Sequence, residues 1–151
     1  MDLSWAKFPI IIIVIFGIGW LLSAGGVSFM HKKFAVEAGE DENQNKINEA
    51  GLSGVAGYLL ITFRYEKGGK VLEDAIRLYP DGKNALYNQY RLARAYEKQT
   101  KYEKAIFLLA DLVALDPDAH TYDDRIASDD VIKLRVDKLR ETHELGQIGQ
   151  W

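Results

Sequence analysis

Gln89-Tyr90-Arg91-Leu92-Ala93-Arg94-Ala95-Tyr96, followed by Ala105-Ile106-Phe107-Leu108-Leu109 and then by Pro117, is the stretch that decides the fold. Leu92 and Tyr96 recur at helical spacing, as do Ala105 and Leu109, so each half carries an apolar stripe along one side of a helix. The polar run Glu97-Lys98-Gln99-Thr100-Lys101 turns the chain between them. Asp116-Pro117-Asp118 stops the second helix, because a residue before proline is driven out of helical backbone. Small residues, Ala93 and Ala105, stand where two helices must cross closely. The stretch therefore reads as a helical hairpin.

The same internal distances occur 37 residues earlier with weaker residues: Leu52, Val55-Ala56 and Leu59, then Gly68 and Leu72, then Pro80. This spacing resembles the tetratricopeptide repeat, whose pattern is Trp-x2-Leu-Gly-x2-Tyr, then Ala-x3-Phe, then Pro. Here the pattern reads Gln89-x2-Leu92-Ala93-x2-Tyr96, Ala105-x3-Leu109, Pro117, with Gln89 departing from the usual Trp. Against a period of about 34 residues, the wider spacing implies a short insertion, placed in the turn Asp81-Gly82-Lys83. Tyr58-Leu59-Leu60-Ile61-Thr62-Phe63 taken alone also passes for a buried strand. After the second hairpin, Ser128 is a candidate N-cap, with Asp129 and Asp130 in the first turn where negative charge suits the helix dipole. Ile132, Val136 and Leu139 share one face, Lys133, Arg135, Lys138 and Arg140 form a solvated side, and Gly146 follows as a stop. Such a helix suits the open end of a repeat stack.

Toward the N-terminus, Phe8 to Met30 contains no formally charged residue and includes the run Ile10-Ile11-Ile12-Ile13-Val14-Ile15-Phe16. That length is enough for a transmembrane helix, which needs roughly 20 apolar residues. Pro9 is expected just inside its start, Trp5 and Trp20 are interface-seeking, and Gly25-Gly26 offers an earlier end near Ala24. The rival reading is a cleaved signal peptide, with Lys7 as its basic region and Ser23-Ala24-Gly25 as its cleavage residues. Gly19, Ser23 and Gly26 recur at small-residue spacing, a candidate face for a neighbouring membrane helix.

The expected organisation is an N-terminal tail at 1–7, a transmembrane helix at 8–30, an acidic juxtamembrane linker at 31–44, the helical domain at 45–145 and a C-terminal tail at 146–151. The fold class is all-α: a single N-terminal transmembrane helix followed by a short tetratricopeptide-like stack with a capping helix. The resemblance is to the membrane-anchored bacterial type of that family. His31, Lys32, Lys33 and Lys46 follow the span while only Lys7 precedes it, so the positive-inside rule expects the C-terminal domain on the cytoplasmic side of the inner membrane, with the periplasmic side as the alternative.

Composition narrows the chemistry. The chain has 151 residues, 48% of them hydrophobic, a net charge of −3 and no cysteine. Nucleic acid is not an expected partner, since phosphate contacts demand a basic surface. Thiol chemistry, disulfides and cysteine metal sites are excluded. Asp116, Asp118, His120, Asp123 and Asp124 form an acidic loop without the glycine and glutamate of a calcium loop. Gly68-Gly69-Lys70 lacks the preceding glycine and following hydroxyl of a phosphate loop, and is read as a turn and helix start. No catalytic residue, cofactor, metal or small-molecule substrate is assigned, and an enzyme is not expected.

What the resemblance implies is a membrane-tethered adaptor that binds a protein partner on a concave surface. The stripe expected to carry it is Tyr87, Tyr90, Arg91, Arg94 and Lys98, since aromatic and guanidinium groups suit interfaces. Tyr87 and Tyr90 serve equally well as packing against the neighbouring repeat. The alternative function is a small subunit built permanently into a larger membrane complex, because two good repeats bury little core unaided.

Overall fold

A computed structural model describes residues 4–148. Among the described residues there are eight helices and no strand: α1 (Ser4–Leu22), α2 (Ala24–Phe34), α3 (Glu42–Ile61), α4 (Tyr65–Leu78), α5 (Ala85–Lys98), α6 (Tyr102–Leu115), α7 (Ala119–Tyr122) and α8 (Asp129–His143). The fold is all-α. Tyr58–Phe63, the segment that could pass for a strand, lies at the C-terminal end of α3 and the turn beyond it.

The 37-residue spacing is present in the backbone as well as in the sequence. Leu52, Val55, Ala56, Leu59, Gly68 and Leu72 are all buried, and so are Gln89, Leu92, Ala93, Tyr96, Ala105 and Leu109 at the corresponding positions. Each hairpin turn contains one residue in the left-handed region, Phe63 at φ 60° and Thr100 at φ 60°. Each turn is closed by the same bond, Arg64 N–H to Leu59 C=O (2.8 Å) and Lys101 N–H to Tyr96 C=O (2.9 Å). That geometry is a helix C-terminus in which a left-handed residue lets the next N–H satisfy an orphan carbonyl.

Two packed layers of side chains result. One gathers α2, α3 and α4 around Leu52, Leu59, Val71, Leu72 and Leu78, with Leu92 and Tyr96 entering from α5. The other joins α5, α6 and α8 around Ala93, Ile106, Leu109, Leu112, Ile132 and Val136, with Leu139 at its edge. Gly68 and Gly69 lie inside α4, not at a turn: a Cβ on Gly68 would stand 3.0 Å from Leu60, and one on Gly69 would stand 3.2 Å from Gln99. The Gly-Gly pair thus permits close helix approach, at the cost in propensity glycine carries.

The N-terminal segment departs from expectation. One continuous helix over 8–30 is not formed, because the apolar run divides at Ser23. The Ser23 hydroxyl donates to Trp20 C=O and accepts from Gly26 N–H at 3.3 Å, so it caps a new helix instead of continuing the old one. Gly25-Gly26 just beyond weakens any continuation. Among the described residues no single helix is long and apolar enough to cross a membrane; Phe8–Trp20 and Ala24–Phe34 meet that condition only together, bent by 71°. Pro9 lies inside α1 and not at its start. The side chains of Trp5 and Lys7, residues 1–3 of the N-terminal tail and residues 149–151 of the C-terminal tail are outside the described residues.

The acidic linker expected at 31–44 is also corrected. Its first part is the end of α2, and its last residues are already α3, capped by Asp41, which accepts from the N–H groups of Asn43 and Gln44. The strand of chain between is stitched down: His31 Nε2 meets Asp74 at 2.8 Å, Tyr79 donates to Val36 C=O at 2.6 Å, and the Asn45 side chain bonds both backbone groups of Gly39. Charge repulsion does not decide its shape, because opposite charges and hydrogen-bond partners on α4 lie within reach.

Candidate functional site

The stripe on α5 begins from helical periodicity: Tyr87, Tyr90, Arg91, Arg94 and Lys98 follow one another at spacings of one, three or four residues. The structure divides them into two groups. Tyr87, Tyr90 and Arg91 are engaged inside the molecule. Arg94 and Lys98 are exposed, with no hydrogen bond or ion pair among the described residues.

Arg91 leans across to α3, where Nη2 donates to Ser53 C=O at 2.9 Å and Nη1 to Ser53 Oγ at 3.1 Å. Gly57 makes room for it, since a Cβ there would stand 3.1 Å from the guanidinium. Burial lowers the pKa of Arg91 from its ordinary value; the Tyr87 ring opposes this and the nearby Arg125 charge adds to it. Arg91 and Arg125 both approach the Tyr87 ring, with guanidinium carbons 5.0 and 4.1 Å from its centroid. Arg125 is balanced by Asp123 at 2.6 Å, and that pairing raises the arginine's pKa and lowers the aspartate's. Tyr90 lies under Arg135, 5.7 Å from ring centroid to guanidinium, and Arg135 pairs in turn with Glu97 at 2.8 Å. Cation–π contacts of this kind contribute about 0.5–2 kcal/mol each, depending on exposure.

Arg135 and Arg140 are consequently not on a solvated side of α8, as the sequence suggested. Arg140 donates to Ile148 C=O at 2.6 Å and to Asp137 at 2.8 Å. The proposed membrane-helix face is also dissolved. Gly19 is on α1 with open space around it, Ser23 is the break, and Gly26 is buried on α2, so the three do not share a face once the helix bends.

Three buried polar residues where α3 meets α5, Glu49, Ser53 and Asn88, carry bonds that the sequence pattern does not announce. Glu49 accepts from Asn84 N–H at 2.7 Å and from Asn84 Nδ2 at 3.1 Å, holding the turn before α5 against α3. Gly82 is required beside it, as a Cβ would come within 2.9 Å of the carboxylate carbon. Ser53 donates to Asn88 Oδ1 at 2.8 Å, and the Asn88 amide nitrogen finds no partner among the described residues. The available signal was Glu49 and Ser53 standing among Leu52 and Ala56 on the apolar side of α3. Gln89, where the tetratricopeptide pattern would have Trp, is buried and bonds Asp111 at 2.9 Å.

Two carboxylates of the acidic loop are engaged internally, with Tyr122 donating to Asp116 and Asp123 held by Arg125. Chemically the surface offers guanidinium, amine and aromatic groups beside a few exposed apolar side chains. No family model matches the chain, no curated protein matches it, and no solved structure matches it.

Proposed function

We propose that this is a membrane-tethered scaffold of the tetratricopeptide-like type, anchored as a single pass by the apolar run of α1 together with the start of α2, with its hairpin domain on the cytoplasmic side and its α5 face turned toward a protein partner. The observation that carries the reading is α1 itself: every residue from Phe8 to Trp20 is exposed, Phe16 at 75%, and nothing in the hairpin domain covers them. An apolar surface of that extent calls for lipid or protein around it. Arg94 and Lys98, without a hydrogen bond or ion pair among the described residues, are the residues of the expected stripe available to a partner, with the half-buried edges of Tyr87 and Tyr90 beside them.

The test has two parts. Full-length protein from native membranes should resist alkaline carbonate extraction, and release into the soluble fraction would remove the anchor. Captured partners should be lost on Arg94→Ala combined with Lys98→Ala, with helicity unchanged; undiminished capture would move the binding surface elsewhere. A permanent place in a larger complex is the second reading, favoured by Phe107, Leu115 and Leu134, which lie on the second hairpin layer at 65–69% exposure. Gentle detergent extraction separates the two, because a permanent subunit migrates with one stable assembly.

A further inference from the structure

Helix α2 has two opposite faces. Val27, Met30 and Phe34 pack toward α3 and α4, and His31 turns the same way to reach Asp74. At 3.6 residues per turn, Gly25, Phe29, Lys32 and Lys33 fall on the far side. All four are exposed, Phe29 at 54%. Lys32 makes no hydrogen bond, ion pair or ring contact among the described residues, and the Lys33 amine lies 5.6 Å from the Phe34 ring centroid.

The bend decides where that far side looks. The axes of the two apolar helices differ by 71°. The Trp20 and Phe29 rings meet at 5.9 Å, which marks the inside of the elbow as the Phe29 side of α2. An α1 standing near the bilayer normal therefore lays α2 close to the bilayer plane, Phe29 side down. Length argues the same way. The uncharged part of α1, Phe8 to Leu22, rises only about 22 Å, short of a hydrocarbon layer of roughly 30 Å. A short span thins the bilayer or draws its flanks down to it, and the flank here is the uncharged remainder of the run, Ala24–Met30.

We infer that the exposed face of α2, Phe29 with Lys32 and Lys33, docks on the anionic headgroups of the bilayer that holds α1; this rests on the reading of α1 as the anchor. Phe29 sits at the acyl boundary, the two ammonium groups contact lipid phosphate, and α3 and α4 stack above. The sign fits: cytoplasmic leaflets carry anionic lipid, and lysines beside an apolar side chain are the composition of an interfacial helix.

The chain has no cysteine, so single labelling sites are clean. Full-length Phe29→Cys, Val14→Cys and Ala114→Cys proteins would carry a polarity-sensitive fluorophore in nanodiscs of phosphatidylglycerol with phosphatidylcholine. The Phe29→Cys and Val14→Cys probes should emit to the blue and resist aqueous iodide, while the probe at Ala114→Cys, on the outer surface of α6, is quenched freely. Lys32→Glu with Lys33→Glu, or discs of phosphatidylcholine alone, should cost the Phe29→Cys probe several-fold of its protection and leave the Val14→Cys probe unchanged. Quenching at Phe29→Cys equal to that at Ala114→Cys, with Val14→Cys still protected, overturns the docking and leaves the anchor standing. Protection at Phe29→Cys that ignores anionic lipid overturns the headgroup contact. Loss of protection at Val14→Cys overturns the anchor reading itself.

Discussion

Glu49 is 3% exposed, and its carboxylate has both oxygens occupied by the N–H and amide of Asn84. Removing the acceptor leaves two donors at the start of α5 without a partner, and a buried donor so orphaned costs roughly 1–3 kcal/mol. Glu49→Ala should therefore lower the thermal midpoint of the full chain, followed by circular dichroism in detergent, whereas Glu42→Ala on the exposed first turn of α3 should not. Tyr96 supplies a second residue-scale prediction. Burial first, and then its hydrogen bond to Glu73 at 2.6 Å, push the Tyr96 pKa up to about 12 from an ordinary 10.0. The fold favours the neutral phenol, so its contribution is whole below pH 10.0 and is lost as pH rises toward about 12. Tyr96→Phe should be less stable at neutral pH and should lose less stability than the parent across that alkaline window, read from denaturation midpoints. An identical alkaline decline in both proteins would place the linkage elsewhere.

Among elements, the second hairpin was legible because its small, large and proline positions coincide; Ala93 and Ala105 are fully buried where crossing helices require them. Ala105→Leu should cost about 1–3 kcal/mol by overpacking, and an unchanged denaturation midpoint would refute that placement. Helix α2 was legible only as a stop: Gly25-Gly26 offered an end near Ala24, and nothing announced that a second helix begins there. Its signal was a hydroxyl and two glycines inside an apolar run, and hydropathy weighs them as nearly neutral while backbone chemistry makes them a break. Nor could spacing show that Arg135 leaves the solvated side of α8 for Glu97 and Tyr90, since both partners lie on α5. The seat of α2 on α3 depends on Gly51, where a Cβ would stand 2.5 Å from the Phe34 ring. Gly51→Ala should loosen α2, seen as faster trypsin cleavage after Lys32 or Lys33, with the midpoint of the hairpins moving less than the cleavage rate.

At the scale of the whole molecule, the candidate surface was half legible. Spacing places the five side chains on one stretch of α5, but the sequence carries no sign that α3 offers Ser53 and Gly57 to Arg91, or that Arg125 and Arg135 lie against Tyr87 and Tyr90. Legible from the start was the 37-residue step, and it has a consequence of its own. Because Phe63 and Thr100 share one backbone conformation and the bonds around them correspond, the chain possesses a local translational symmetry, and its two turns are interchangeable splice points. A third hairpin can in principle be inserted by duplicating residues 63–99 between Gln99 and Thr100, with each junction meeting the geometry it already has. In a one-dimensional stack each added unit contributes its own stability and one more interface. The lengthened chain should therefore show more helix by circular dichroism and a higher denaturation midpoint, whereas a lower midpoint would mean that the two hairpins agree in backbone but not in the surfaces by which they join.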